Sequence, residues 1–376
     1  MQFSFTEEQT LLQESAEKLV ENDYPFEVRK AGSSSEVGFD EALWQKFAEL
    51  GWLGLGIPED MGGYGGGAVE TAIIMETLGK ALAVEPFTSS VVMASALLTR
   101  SASPAHHALL AEIAAGKKRV AFALAERHSR YDLSRVGVTA TPNGEGFTVA
   151  GTKSVSFNAD SADAIVVTAR TAGNIADDEG ISLVLIERDA QGVSLRSYPT
   201  VDGLRAAEIT FDGVNVEAEQ LIGPAGAGLP LIEAAVDAGI VALSAEAAGI
   251  MKHMYESTLE YLRGREQFGV SLASLQALQH RVVDMFVATE LARSMAYMAA
   301  VKLDAPTSER RRAVSAAKVQ IGKSGKLVGE ESIQLHGGMG MTDEMAISHY
   351  FKRLTMINTT FGDLDHHLDY LVDHPS

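Results

Sequence analysis

A chain of 376 residues that is 46% hydrophobic and 22% charged has the composition of a folded globular protein, and it is too long for one comfortable core. Its formal net charge of −19 opposes binding to nucleic acid or anionic membrane by bulk electrostatics, so an anionic ligand requires a local basic pocket. The lack of cysteine excludes disulfides, thiolate metal sites and a cysteine nucleophile.

The opening stretch, "MQFSFTEEQTLLQES", is acidic and amphipathic and has the pattern of neither a signal peptide nor a transit peptide. Thr6 and Gln9 have the spacing of a capping box before a helix. Further on, "FDEALWQKFAELG" has helical spacing at Leu43, Phe47 and Leu50, with Gly51 as a stop, and "VETAIIMETLGKALA" predicts another helix. The Pro/Gly-rich "GIPEDMGGYGGGAVE" between them is a loop. Residues 1–118 therefore read as a helical domain.

Over residues 119–222 the period changes. "GFTVAGTKSVSF", "ADAIVVTART", "GISLVLIER", "GVSLRSY" and "AAEITFDGVNV" are short, β-branched runs separated by Gly, Asn and Asp, which predicts an antiparallel β-domain. Residues 223–376 return to long helical patterns and predict a bundle. The fold class is α+β: helical domain, β-domain, helical bundle. No run of 18 apolar residues occurs, so the expectation is a soluble, cytoplasmic protein.

Several motifs have both a plain and a functional reading. "GYGGGA" matches a dinucleotide loop, but no strand precedes it and no strand–helix alternation follows, which favours a surface turn. In "RGREQFG", ending a helix at Gly269, Arg263 and Arg265 either complement the helix dipole or present a guanidinium to a phosphate. "QLHGGMGM" is a helix stop or a glycine corner that admits a ligand. His280 reads as a structural histidine, and the ten histidines have no metal-ligand spacing. "TTFGDLDHHLDYL", where Asp363, Asp365 and Asp369 surround His366 and His367, reads mainly as a helix start.

Taken together, "LGLGIPEDMGGYGG", "GTKSVSFNADSADAIVVTAR", "FDGVNV", "YLRGREQFGVSLASLQALQHRVVDM" and "QLHGGMGMTDE" make the chain resemble the acyl-CoA dehydrogenase family over essentially its full length. In its last part it looks like the small subunits of heteromeric bacterial members of the pimeloyl-CoA dehydrogenase type. The resemblance implies an N-terminal helical domain, a middle antiparallel β-barrel and a C-terminal four-helix bundle. It implies FAD at a subunit interface, an acyl-CoA thioester as substrate and electron-transfer flavoprotein as acceptor. A glutamate removes the α-proton while the β-hydrogen leaves as hydride to the flavin. The residues that the resemblance assigns to FAD are Arg265, Phe268, Gln276, Gln334, Gly337, Gly338 and Ser156. The first six reach a FAD whose ring lies mainly in the neighbouring subunit.

Other positions depart from the family. The usual T-E-P-x-A-G-S-D turn is replaced by "LAERHSRYDL", which keeps only Glu126 and Asp132 and introduces Arg127 and Arg130. The two family positions of the catalytic glutamate hold Gly362 and Gly239. Asp363 and Glu246 are the local substitutes, the first one residue late on a loop, the second about 10 Å along a helix from Gly239. The expectation is a base-lacking subunit of a heterotetramer, paired with a paralogous acyl-CoA dehydrogenase subunit whose FAD site it completes. The alternatives are a homo-oligomeric enzyme with a relocated base, or a non-catalytic FAD- or acyl-CoA-binding protein.

Overall fold

The computed structural model describes residues 4–267 and 269–375. Two compact units share the chain, and neither follows sequence order. One comprises Met1–Lys30, Ala68–Ala83 and Ile240–Ser376; the other comprises Ala31–Gly67 and Val84–Gly239.

The helical unit holds α1 (Glu7–Asp23) and α2 (Phe26–Ser33), the latter running just past the unit's boundary. The capping box of α1 forms as its spacing predicts: Thr6 Oγ1 accepts from the Gln9 amide, and Gln9 Oε1 accepts from the Thr6 amide. The other unit contributes α3 (Glu41–Glu49), after which α4 (Ala68–Ala81) returns to the helical unit. The other unit also holds α5 (Ser95–Leu98), α6 (Pro104–Ala114) and the first turns of the long helix that starts at Leu229. A π-helical stretch at Phe87–Ala94, which the sequence gave no reason to expect, precedes α5. The long helices α7 (Leu229–Gly264), α8 (Gln276–Val301) and α9 (Thr307–His336) follow, then α10 (Ala346–Thr359) and α11 (Leu364–Asp373). In the helical unit, α8, α10 and α11 all pack on α9.

Helix α7 is long and apolar enough to cross a membrane by composition alone, but 89% of its most apolar window is buried inside the protein. Its apolar residues serve a core that includes Leu243, Ile250 and Met254 with Met285, Ile321 and Ile357. Two glycines explain how close α4 and α7 come. A Cβ on Gly249 would sit 1.8 Å from the Glu76 carbonyl oxygen, and one on Gly79 would sit 2.1 Å from that of Glu246. Each helix thus places a glycine against the other's backbone, which outweighs the ~1 kcal/mol that glycine costs a helix.

The β-unit contains an eight-stranded sheet: β1 (Val120–Ala123), β2 (Thr139–Asn143), β3 (Gly146–Phe157), β4 (Ala164–Arg170), β5 (Ile181–Glu187), β6 (Val193–Pro199), β7 (Arg205–Val216) and β8 (Leu221–Ile222). The order is β6-β7-β3-β2-β4-β5-β8, with β1 pairing β4. Most pairings are antiparallel, as the alternating runs predict, but β1–β4 is parallel, as is the single β2–β4 contact. "VAFA" was not among the expected strands; it is a short, fully buried run with no alternation to betray it. Strand β4 is buried on both faces, whereas β3 is only partly buried along its length.

Turns elsewhere fit the plain readings. "GYGGGA" is loop before α4, preceded by a short 3₁₀ turn at Glu59–Met61 and not by a strand. Helix α7 ends at Gly264, five residues before the expected stop at Gly269. The tight pairing of Glu266–Gln267 with Val270–Ser271 follows instead. His280 is exposed on α8, so it is not a core histidine.

Candidate functional site

At one end of the helical unit, three helix termini converge. Tyr261 on α7 stacks on His336 at the end of α9, with ring centroids 4.4 Å apart, and its hydroxyl donates to the His336 carbonyl at 3.4 Å. The Leu272 amide donates to the Arg265 carbonyl at 2.9 Å, closing the turn after α7, and Arg281 on α8 pairs with Glu331 on α9. These contacts bring Arg265, Gln276, Gln334, Gly337 and Gly338 to the same end of the unit.

All five are exposed. The side chains of Arg265, Gln276 and Gln334 make no hydrogen bond or ion pair with any described residue. Gly337 has φ 61° and ψ −145°, a conformation open essentially to glycine alone. A Cβ on either Gly337 or Gly338 would meet nothing within 4 Å. Gly337 is therefore needed for backbone shape, and both glycines have open space above them. A cation, two amides and a bare backbone corner, all unsatisfied from within the unit, match the chemistry of an anionic diphosphate. Phe268, expected beside them, lies outside the described residues. A cavity of ≈ 320 Å³ adjoins this end, lined by His253, Ser257, Glu260, Tyr261, His336 and Ile347. Burial holds His253 neutral, lowering its pKa to about 4.

In the β-unit, Ser156 is buried and its Oγ has no hydrogen-bond partner among the described residues. The register of β3 against β7 slips between Lys153 and Ser156. There Val155 adopts φ 50°, an outlier for a β-branched residue, and is 43% exposed. Ser156 thus keeps an unused buried hydroxyl next to a strained, exposed apolar residue. Arg127 and Arg130 are exposed on the turn before β2, and Arg130 has φ 47°. Glu126 is committed to structure: its carboxylate accepts from the Gly137 and Val138 amides and from Lys153 Nζ at 2.6 Å. Asp132 accepts from the Ser134 amide and hydroxyl.

The carboxylates near the family's base positions are engaged too. Glu246 is buried on α7, its Oε1 2.6 Å from Arg353 Nε and its Oε2 2.8 Å from Arg353 Nη2, a two-point pair with α10. Asp363 caps α11, its Oδ1 accepting from the His366 amide at 3.0 Å. Gly239 lies buried within α7. Gly362 sits in the turn between α10 and α11 with φ 109°.

Two buried residues flank that turn, Lys318 from α9 and His367 from α11, and Lys318 had drawn no reading from the sequence. Lys318 on α9 is 1% exposed, and its Nζ donates to the carbonyls of Ile357 at 2.6 Å and Thr360 at 2.5 Å. Burial lowers its pKa to about 7, against the opposing pull of Asp363. His367 is buried, with Nδ1 3.1 Å from Ser315 Oγ and Nε2 3.1 Å from the Phe361 carbonyl. Its pKa falls to about 3, mainly through burial and then through Lys318 and His366. A lysine on the small-residue face "SAAKVQIG" was the one signal in the sequence. Among the described residues no cluster of three metal-ligating side chains exists.

Comparison with known proteins matches the chain to one family. Three family models match in chain order: the acyl-CoA dehydrogenase N-terminal domain over residues 6–117, the middle domain over 121–214 and the C-terminal domain over 226–373. A probable acyl-CoA dehydrogenase, YngJ of Bacillus subtilis (strain 168), is 28% identical, covering 94% of this chain and 93% of its own length. Among solved structures, a variant of the Tcur3481-Tcur3483 steroid ACAD is 29% identical with a TM-score of 0.88, covering 98% of this chain and 97% of its own. The ChsE4-ChsE5 complex from Mycobacterium tuberculosis has the same fold, with a TM-score of 0.89 at 24% identity and full coverage of both chains. The chain belongs to the acyl-CoA dehydrogenase family, whose cofactor is FAD.

Proposed function

We propose that this chain is the base-lacking subunit of a heteromeric FAD-dependent acyl-CoA dehydrogenase, whose open helix ends complete the FAD site of a paralogous partner. The observation that carries this reading is the contrast between unsatisfied donors at Arg265, Gln276 and Gln334 and the absence of any uncommitted carboxylate at Gly362, Gly239, Asp363 or Glu246. Arg265 holds the diphosphate by charge-assisted hydrogen bonds, Gln276 and Gln334 donate amide protons, and the corner at Gly337–Gly338 lets the backbone approach. The flavin, when bound, supplies hydride acceptance, with electron-transfer flavoprotein as the onward acceptor. Ser156 offers a hydroxyl on the β-unit, and Arg127 and Arg130 place cations for an acidic acyl tail. The α-proton of the acyl-CoA thioester goes to a carboxylate of the partner.

An apolar stripe on α8 supports assembly with a second chain. Val283, Phe286, Val287 and Leu291 recur at helical spacing and are 45% to 56% exposed. The double designation of the similar Tcur3481-Tcur3483 enzyme is consistent with two different chains. Expression alone and with the paralogue tests the reading. The expected result is turnover and full flavin occupancy only in the mixed assembly. Ordinary desaturation of a CoA ester by this chain in isolation overturns it in favour of a homo-oligomer with a relocated base, Asp363 or Glu246. A mixed assembly that holds flavin but is not reduced by any acyl-CoA points to a binding protein.

A further inference from the structure

Replacement of a catalytic glutamate by glycine invites the idea that one substitution could restore it. The turn at 360–363 argues otherwise. A Cβ on Gly362 would lie 2.5 Å from His367 Nε2, 2.6 Å from His366 Cδ2 and 2.9 Å from His367 Cδ2, and φ is 109°. His366 is exposed and can swing away, but His367 cannot. Because a carbonyl only accepts, His367 Nε2 carries the proton given to the Phe361 oxygen, and Nδ1 accepts from the Ser315 hydroxyl. Both ring nitrogens are used and the ring is buried.

The backbone of the turn is held from the other side by Lys318, through the carbonyls of Ile357, Asn358 and Thr360. Ser315, Lys318 and Gly322 stand on one face of α9. A Cβ at Gly322 would come within 2.6 Å of Asn358 Oδ1, so the helix meets the end of α10 closely there. Phe361 is kept at φ 59°, a costly conformation for an aromatic residue, with its ring packed on the core. Asp363 closes the turn by capping α11.

We infer that Lys318 and His367 are positioning residues that lock the 360–363 turn in a form excluding any side chain at position 362, so the catalytic carboxylate is barred there and not merely absent. The inference rests on the reading of this chain as the base-lacking subunit and assigns that loss to the turn itself. Gly362→Glu and Gly362→Ala, made in the assembly with its partner, test it. Both are expected to lower the melting temperature by several degrees or to prevent folding, and G362E is expected to raise turnover less than twofold. A G362E assembly that melts with the wild type, or that gains a second active centre, overturns the inference. Two measurements avoid dependence on folding of the glycine variants. Hydrogen exchange over residues 357–367 is expected to speed up at least tenfold in His367→Ala and Lys318→Met, and an unchanged rate overturns the lock. Nitrogen-15 shifts of His367 are expected to show the Nε2–H tautomer at neutral pH; the opposite tautomer overturns the assigned contacts. Turnover by the unmodified chain alone refutes the base-lacking reading and leaves the lock to these stability and exchange results.

Discussion

Two ends of the helical unit handle polar groups in opposite ways. Where α7, α8 and α9 terminate, Arg265, Gln276 and Gln334 are exposed and unsatisfied, around a glycine corner with nothing above it. At the turn between α10 and α11, nearby polar groups are consumed internally: Lys318 by carbonyls, His367 by Ser315 and Phe361, Asp363 by an amide. The lesson is that a surface kept for a ligand leaves donors without partners, whereas a surface withdrawn from chemistry satisfies its own. Buried polar groups are costly unless paired, so the second arrangement satisfies itself, whereas the first is exposed and its donors stay with water until a ligand replaces it.

The largest test of this contrast is Glu246→Gln. It removes the Glu246 charge from its buried pair with Arg353, and removing one member of such a pair costs about 3–5 kcal/mol. Urea unfolding should register that loss. A variant that instead keeps its stability and loses turnover would restore Glu246 as a base and break the contrast.

Next is acid stability. His367 titrates at 6.5 when unfolded and at about 3 when folded, chiefly because it is buried. Between those values the unfolded chain binds a proton that the folded chain refuses. The stability from neutral His367 is thus complete above pH 6.5 and is lost as pH falls towards 3, at about 1.4 kcal/mol per pH unit. His253, lowered to about 4, adds the same trend over a narrower window. His367→Gln should flatten the pH dependence of the melting temperature, and an unchanged slope would remove His367 from the lock.

At the open end the effects fall on the cofactor. Arg265→Ala should weaken FAD retention by the mixed assembly by about ten- to a hundredfold, from loss of about 1.5–3 kcal/mol of charge-assisted hydrogen bonding, with melting unchanged. Gln334→Ala removes one neutral donor and should cost about 0.5–1.5 kcal/mol of FAD affinity. Titrated flavin fluorescence separates the two. If Arg265→Ala unfolds the unit and leaves affinity intact, the open end is structural after all.

Much of the open end was legible in the chain. A guanidinium just past a long helical pattern and paired glycines after another are local features, and the resemblance carried by "RGREQFG" and "QLHGGMGM" assigned them a ligand. The closed end was only half legible. That Gly362 holds no carboxylate is plain in the sequence, and Asp363 as a helix start follows from its place before "LDHHLDYL". That Glu246 meets Arg353, 107 residues away, or that Lys318 meets the carbonyls of 357–360, depends on long-range packing with no local spacing to reveal it. Strand β1 was missed for the same reason, since its identity as a strand comes from pairing with β4.

By itself the sequence determined the helical, β and helical succession, the capping box at Thr6, the helix start at Asp363 and the lack of a carboxylate at Gly239 and Gly362, because periodicity, capping and residue identity act over a few neighbours. The tertiary structure alone decided which chain segments share a core, why Gly79 and Gly249 must stay small, and that the vacancy at Gly362 is filled by a histidine ring. Those outcomes follow from close packing between residues far apart in the chain, where a single ring or carbonyl settles what a position can hold.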